Sequence, residues 1–245
     1  MIMQFGIIGY PLTHSFSPAY FTEKFEREQI MAVYEKFELK DITEFPSLLE
    51  SHPNLHGLNV TIPYKKAIIP YLNTLSEEAE AIGAVNCIAI CDRKLKGYNT
   101  DAMGFERSLS PLLKPVHRKA LILGTGGSSL AVRYVLQKLG IEWLNVSRTA
   151  SEDIIRYEDL NETILKGHLL IINTTPLGMF PHTEACPDIP YSFLTEQHLL
   201  YDLIYNPLET KFLALGRSLG TAVKNGLEML HLQAEASWEI WSSKS

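Results

Sequence analysis

Two short polar segments carry residue types that could move a proton: NVTIPYK at 59–65 and GYNTD at 97–101. Each sets one chargeable side chain behind hydrogen-bonding neighbours, Lys65 behind Asn59 and Thr61, and Asp101 behind Asn99 and Thr100. An ordinary lysine is an ammonium ion at neutral pH, and a nearby carboxylate favours that charged form. A Lys and an Asp facing each other therefore make a general acid with its own counter-ion. Taken alone, Lys65 reads as a solvated lysine at a helix start.

Further polar groups could hold a substrate. GYPLTHSFSP at 9–18 spaces the hydroxyls of Ser15 and Ser17 by two at a strand-to-helix junction, which suits a carboxylate. Plain N-capping by Ser17 explains the same pattern, with Pro18 at the first helical position. IGAVN ends on Asn86, which can both donate to and accept from a hydroxyl; a lone Asn is equally a turn former.

LILGTGGSS at 121–129 reads as a strand, a glycine turn and a helix start. Gly124 permits the tight turn, and Gly126 lets a pyrophosphate approach the backbone. The amides of Gly127, Ser128 and Ser129 face anionic oxygens. Ser129 stands where a dinucleotide fingerprint has its third Gly or Ala. The next strand ends at Val146-Ser147-Arg148-Thr149. No acid is there for a ribose 2′-hydroxyl, whereas Arg148 suits a 2′-phosphate, so NADP is expected over NAD. NTTPLGM at 173–179 closes a later strand, where loops surround the nicotinamide half of such cofactors.

Strands and helices must position these groups. In the first hundred residues the strand candidates are 4–10, 32–39 and 55–62, then a hairpin over 85–99 turning at Asp92-Arg93. Helices are expected near 17–30, 43–51, 65–72 and 76–83. From Lys119 strands alternate with crossover helices near 127–139, 157–166 and 210–219, the pattern of a doubly wound parallel sheet. The segment 101–115 reads as a connecting helix ended by Pro115. On a last helix at 226–241, Leu227, Leu230, Ala234, Trp238 and Trp241 fall within about 60° and predict the core face. Gly226, Met229, Gln233 and Ser237 line the adjacent stripe. The expected fold class is α/β: an N-terminal α/β substrate-binding domain of residues 1–101, joined by the C-terminal helix 226–245, and a Rossmann-type dinucleotide-binding domain of residues 102–225.

Composition narrows the function classes. The chain has 245 residues, 46% of them hydrophobic, a net charge of −6 and no Lys/Arg block, so neither nucleic acid nor an anionic membrane is an expected partner. No apolar run reaches the roughly 18 residues that span a bilayer. The N-terminus lacks a cationic region and cleavage site, so the protein is expected to be cytoplasmic. Cys87, Cys91 and Cys186 lack CxxC spacing and read as free thiols, with no metal site.

In their order and spacing, GYPLTHSFSP, GLNVTIPYK, IGAVN, GYNTDAMGF, LGTGGSS, SRT, NTTPLGM, YDLIYNP and NGLEMLHLQA resemble the shikimate dehydrogenase family over nearly the whole chain. The resemblance implies NADPH-dependent reduction of 3-dehydroshikimate to shikimate, in the chorismate route to aromatic amino acids. It implies that Lys65 is catalytic with Asp101, and that Ser15 and Ser17 bind the carboxylate with Thr61 and Tyr205. Asn59, Asn86, Asp101 and Gln233 would hold ring hydroxyls. The implied cofactor set is Gly124, Gly126, Gly127, Ser128, Arg148, Thr149 and Thr175, with Gly226 and Met229 bordering the nicotinamide. A monomer or homodimer acting on a small molecule is expected.

This chain departs from the family pattern at Tyr20-Phe21, where His-Asn is frequent, at Ser147, where Asn is common, and at Ser128-Ser129 in place of an Ala-rich helix start. It is also shorter than many members. None of these removes a proposed catalytic group. Rival readings are a quinate/shikimate enzyme preferring NAD, a non-catalytic binding paralogue, and a methylene-tetrahydrofolate dehydrogenase-like protein.

Overall fold

Strand β1 (Met3–Gly9) alternates its apolar side chains between two buried layers. Phe5 and Ile7 join Phe21, Phe25 and Trp241 on one side, while Ile8 joins Leu58, Val60 and Tyr64 on the other. A strand buried on both faces belongs inside a sheet. β1 lies between β2 (Ala32–Glu38) and β3 (Leu55–Val60), parallel to both. β5 (Cys87–Cys91) runs antiparallel to β3 and forms a hairpin with β6 (Lys94–Tyr98), which pairs with the two-residue β4 (Thr74–Leu75). The order is β2-β1-β3-β5-β6-β4. The hairpin turns at Asp92 and Arg93, both left-handed at φ 47° and 61°, which matches the right-handed twist of the flanking strands. Helices α1 (Ser17–Arg27), α2 (Phe45–Ser51) and α3 (Glu77–Ile82) connect the strands.

The second sheet is wholly parallel. It comprises β7 (Lys119–Leu123), β8 (Glu142–Ser147), β9 (Ile154–Arg156), β10 (Leu170–Asn173), β11 (Leu199–Asp202) and β12 (Ala222–Lys224), in the order β12-β11-β10-β7-β8-β9. This is the Rossmann order, reversing between β7 and β10, where such sheets bind ligands beyond their carboxyl ends. Helices α4 (Thr100–Leu109), α5 (Gly127–Lys138), α6 (Glu162–Gly167), α7 (Lys211–Ser218) and α8 (Leu227–Ser242) complete the chain. The computed structural model describes residues 2–13 and 15–243, so His14 of the 9–18 segment and the last two residues of the C-terminal helix segment lie outside the described residues. Packing divides the chain into two units, Met1–Thr100 with Ala234–Ser245, and Asp101–Gln233.

Several expected elements differ. No α-helix spans 65–72: the chain makes turns and then a 3₁₀ turn at Ile69–Tyr71, because Pro70 has no N–H to continue a ladder. α4 stops at Leu109 and gives way to a 3₁₀ turn holding Pro111, short of Pro115. Ser17 does not cap α1; Phe16 holds that position in helical conformation, Ser17 is the first helical residue and Pro18 follows. The segment near 157–166 splits into a 3₁₀ turn at Tyr157–Asp159 and α6, whose N-cap Asn161 accepts from the Ile164 amide at 3.1 Å. Ahead of it lies β9, too short for periodicity to reveal. On α8 the stripe of Met229, Gln233 and Ser237 is buried, while Leu227, Leu230 and Trp238 of the expected core face are only partly so.

Candidate active site

The first unit places Asn59 at the carboxyl end of β3, where its amide is buried and engaged. Its Oδ1 accepts from the Tyr34 hydroxyl at 2.7 Å, and its Nδ2 donates to Ser237 Oγ at 3.0 Å and to the Asn86 carbonyl at 3.3 Å. With both amide protons committed, Asn59 has one acceptor lone pair left for a ligand hydroxyl. Asn86 Oδ1 accepts from the Thr100 amide at 2.6 Å, its Nδ2 meets Thr100 Oγ1 at 3.0 Å, and Thr100 Oγ1 lies 3.2 Å from Ser237 Oγ. Burial pushes the Tyr34 hydroxyl well above the usual tyrosine range, against a smaller opposing effect of the nearby Ser17 side chain. Tyr34, Asn59, Ser237, Thr100 and Asn86 thus form one continuous polar chain. Buried polar groups are costly unless satisfied, so each member fixes the rotamer of the next.

Thr61 is held where β1 ends. A methyl group at Gly9 would lie 2.4 Å from Thr61 Cγ2, so only glycine permits this approach. The Thr61 amide donates to the Ile8 carbonyl at 2.9 Å. Lys65, half-buried, sits on the turn after Tyr64, and its carbonyl accepts from the Val85 amide at 2.7 Å. Ser15 is half-buried just before α1.

In the second unit Asp101 is buried in the first turn of α4. Three residues on, a methyl at Gly104 would meet the Met229 carbonyl at 2.6 Å and Gln233 Cβ at 3.1 Å. That close helix contact puts Asp101 on the face of α4 turned toward α8, which carries Gln233. Gln233 is buried and donates to the Leu230 carbonyl at 3.0 Å. At Gly226 a methyl would fall 2.1 Å from the Leu203 carbonyl oxygen, so glycine there is a packing requirement.

The nucleotide segment has the geometry of an anion-binding turn. Gly124 takes φ +104°, and a methyl on it would lie 2.8 Å from Thr175 Cγ2. A methyl on Gly126 or Gly127 meets no atom within 4 Å, so open space lies over the turn where a pyrophosphate would approach. Ser129 corrects one expectation: its amide and hydroxyl both donate to the Gly126 carbonyl, at 3.0 and 2.7 Å, so its amide is already engaged. Arg148 and Thr149 are exposed just beyond β8. The open turn and the exposed guanidinium fit a dinucleotide bearing a 2′-phosphate.

Thr175 is more constrained than its expected cofactor role implies. Its hydroxyl donates to Asn173 Oδ1 at 2.6 Å, and Asn173 Nδ2 donates to Asp202 Oδ1 at 3.0 Å. Asp202 is fully buried at the end of β11, and burial raises its carboxyl to about 6 against hydrogen bonds from Thr210, Ile204 and Asn173 that pull it down. Tyr205 is half-buried, and burial raises its hydroxyl.

The proposed residues therefore fall into two sets. Ser15, Ser17, Asn59, Thr61, Lys65 and Asn86 belong to the first unit; Asp101, Gly124, Gly126, Gly127, Ser128, Arg148, Thr149, Thr175, Tyr205, Gly226, Met229 and Gln233 belong to the second. Sequence reasoning missed Tyr34, Ser237 and Asp202 as organisers. Ser237, four residues after Gln233 on one stripe, was the readable signal. No cluster of three or more metal-ligating side chains occurs among the described residues.

Residues 7–88 match the family model of the shikimate dehydrogenase substrate binding domain. The chain is 36% identical to the shikimate dehydrogenase (NADP(+)) of Carboxydothermus hydrogenoformans, over 98% of this chain and 91% of the relative. It is 37% identical to that of Methanococcus maripaludis, over 97% and 91%. Its fold is similar to the crystal structure of Thermus thermophilus shikimate 5-dehydrogenase in complex with NADP(H) and shikimate, at a TM-score of 0.87 and 30% identity, covering 98% of this chain and 94% of that one. With its two sheets, its glycine turn and this likeness along nearly its full length, the chain belongs to the shikimate dehydrogenase family.

Proposed function

We propose that this protein reduces 3-dehydroshikimate to shikimate with NADPH, in the chorismate route. The observation that carries the reading is the open Gly124–Ser128 turn followed by a strand that ends on Arg148 rather than an acid, in a chain whose relatives are NADP-dependent shikimate dehydrogenases. The Asp101–Gln233 unit, with Arg148 and Thr149 toward the 2′-phosphate, holds the cofactor, and the Met1–Thr100 unit binds substrate. NADPH supplies the hydride when bound. Ser15, Ser17 and Thr61 in the first unit and Tyr205 in the second take the substrate carboxylate. Asn59, through its remaining lone pair, and Asn86 accept and orient ring hydroxyls, as do Asp101 and Gln233. Lys65 gives its proton to the carbonyl oxygen as negative charge develops there, and Asp101 stabilises the cationic form.

No described helix is long and apolar enough to cross a membrane, and the reading includes a cytoplasmic enzyme working as a monomer or homodimer on a small molecule alone. Shikimate oxidation measured side by side with NADP+ and NAD+, and repeated with quinate, tests it. Faster turnover of shikimate with NADP+ is expected. No turnover of shikimate with either cofactor would overturn the activity, and a preference for NAD+ would overturn the role of Arg148.

A further inference from the structure

The connection from β8 to β9 contains only residues 148–153 and no helix. A parallel crossover ordinarily takes a dozen or more residues and is right-handed, which would lay its helix on the same face of the sheet as α5. That place beside α5 is a groove of about 470 Å³, within the usual range for small-molecule sites. It is lined by Arg133 of α5, Trp143 and Asn145 of β8, Glu152 and Asp153 of the short connection, and Ile154 of β9.

Two polar atoms of this lining are buried without a partner: Arg133 Nε and Asn145 Oδ1. Asn145 is 5% exposed, in the middle of a strand and paired in register with Ile154. A buried polar atom left unmet costs about 1–3 kcal/mol, a cost relieved when either side chain turns toward a ligand in the groove. Among the described residues Arg133 makes no ion pair with Glu152 or Asp153.

From this arrangement we propose that the groove binds a free α-amino acid with a large apolar side chain, at a site separate from the nucleotide turn. The chemistry assigns each group a partner. The guanidinium of Arg133 meets the ligand's carboxylate. Its ammonium group donates to Asn145 Oδ1, turned into the groove, and is balanced by Glu152 and Asp153. The apolar side chain lies against the Trp143 ring and Ile154. A plain anion would face two carboxylates, and a plain cation would face Arg133; a zwitterion satisfies both.

Calorimetric titration of the full chain with L-phenylalanine, in saturating NADP+, tests this. One-to-one binding is expected, weakened about tenfold or more for 3-phenylpropionate, which lacks the ammonium, and for 2-phenylethylamine, which lacks the carboxylate, since each loses a charge-assisted hydrogen bond. Arg133→Gln, at a partly exposed position, and Asn145→Val should each weaken L-phenylalanine by a similar factor. Undetectable binding to the native chain would mean that water alone fills the groove. Unchanged affinity in Arg133→Gln, or displacement by NADP+, would equally overturn the proposal.

Discussion

Replacing Asp202 by asparagine isolates the effect of one buried carboxylate on the dinucleotide-binding unit. Its carboxyl rises from an ordinary 3.8 to about 6, so the folded state holds the proton more tightly than the unfolded chain does. The favourable contribution is therefore complete below pH 3.8 and is lost as pH rises through about 6. At about 1.36 kcal/mol for each pKa unit, the ionised group costs the folded unit up to about 3 kcal/mol at neutral pH. The Asp202→Asn variant titrates no proton, and Thr210 Oγ1, now 2.6 Å from Asp202 Oδ2, can rotate its hydroxyl to face an amide. Any change in hydrogen bonding is common to all pH values, so the pH-dependent part of the difference belongs to the carboxylate. Hydrogen exchange of amides in β10 and β11 reports this unit by itself, which global unfolding of a two-unit chain does not. The stability of the variant relative to the native chain should rise by up to about 3 kcal/mol between about pH 4 and pH 7. A difference that stays flat across that range would refute the reasoning.

His117 and His198 act with the opposite sign. Each accepts a backbone N–H at Nδ1, at 3.0 Å, and faces a backbone carbonyl through Nε2, at 3.1 Å, and burial lowers both below 6.5. Their contribution is present above pH 6.5 and lost as pH falls, so exchange protection of the same unit in the Asp202→Asn background should decline on acidification, and less so after His198→Gln. Lys65→Ala should lower kcat for shikimate oxidation by about 10²–10⁴ with a much smaller change in KM; a kcat within about twofold of native would remove Lys65 from the chemistry. Arg148→Ala should raise KM for NADP+ about tenfold while leaving that for NAD+ nearly unchanged, as initial-rate kinetics with each cofactor would show. Gly226→Ala forces a methyl against the Leu203 carbonyl and should lower the exchange protection of amides in β10 and β11 by about 1–3 kcal/mol.

Much of the fold was legible because its signals are local. The Asp92-Arg93 turn needs two left-handed residues between two apolar runs, and the strand–glycine–helix signature at 119–138 has its cause within one stretch of chain. Where local signals mislead, a nearby residue or a distant partner decides. Pro70 and Pro111 cut short helices that periodicity would have continued. β9 has three residues and exists because Asn145, Val146 and Ser147 pair with it. Ser17 carries an N-cap's residue type, yet it is the first helical residue of α1 and makes no cap, because Phe16 holds that position.

The sequence by itself determined the residue types and their order: a lysine and an aspartate among amides and hydroxyls, a glycine-rich turn between a strand and a helix, and a strand followed by arginine. Those are properties of short segments, and periodicity and side-chain chemistry express them directly. Tertiary structure alone decided how the amides are used. Asn59 retains a single lone pair because Tyr34, Ser237 and Asn86 meet its other groups, and Ser129 turns its hydroxyl back on Gly126. It also decided that Asp202 is raised by burial, and that a six-residue connection leaves Arg133 and Asn145 unmet beside α5. Hydrogen bonding and desolvation depend on which distant atoms come within about 3 Å, and that is set by packing rather than by order along the chain.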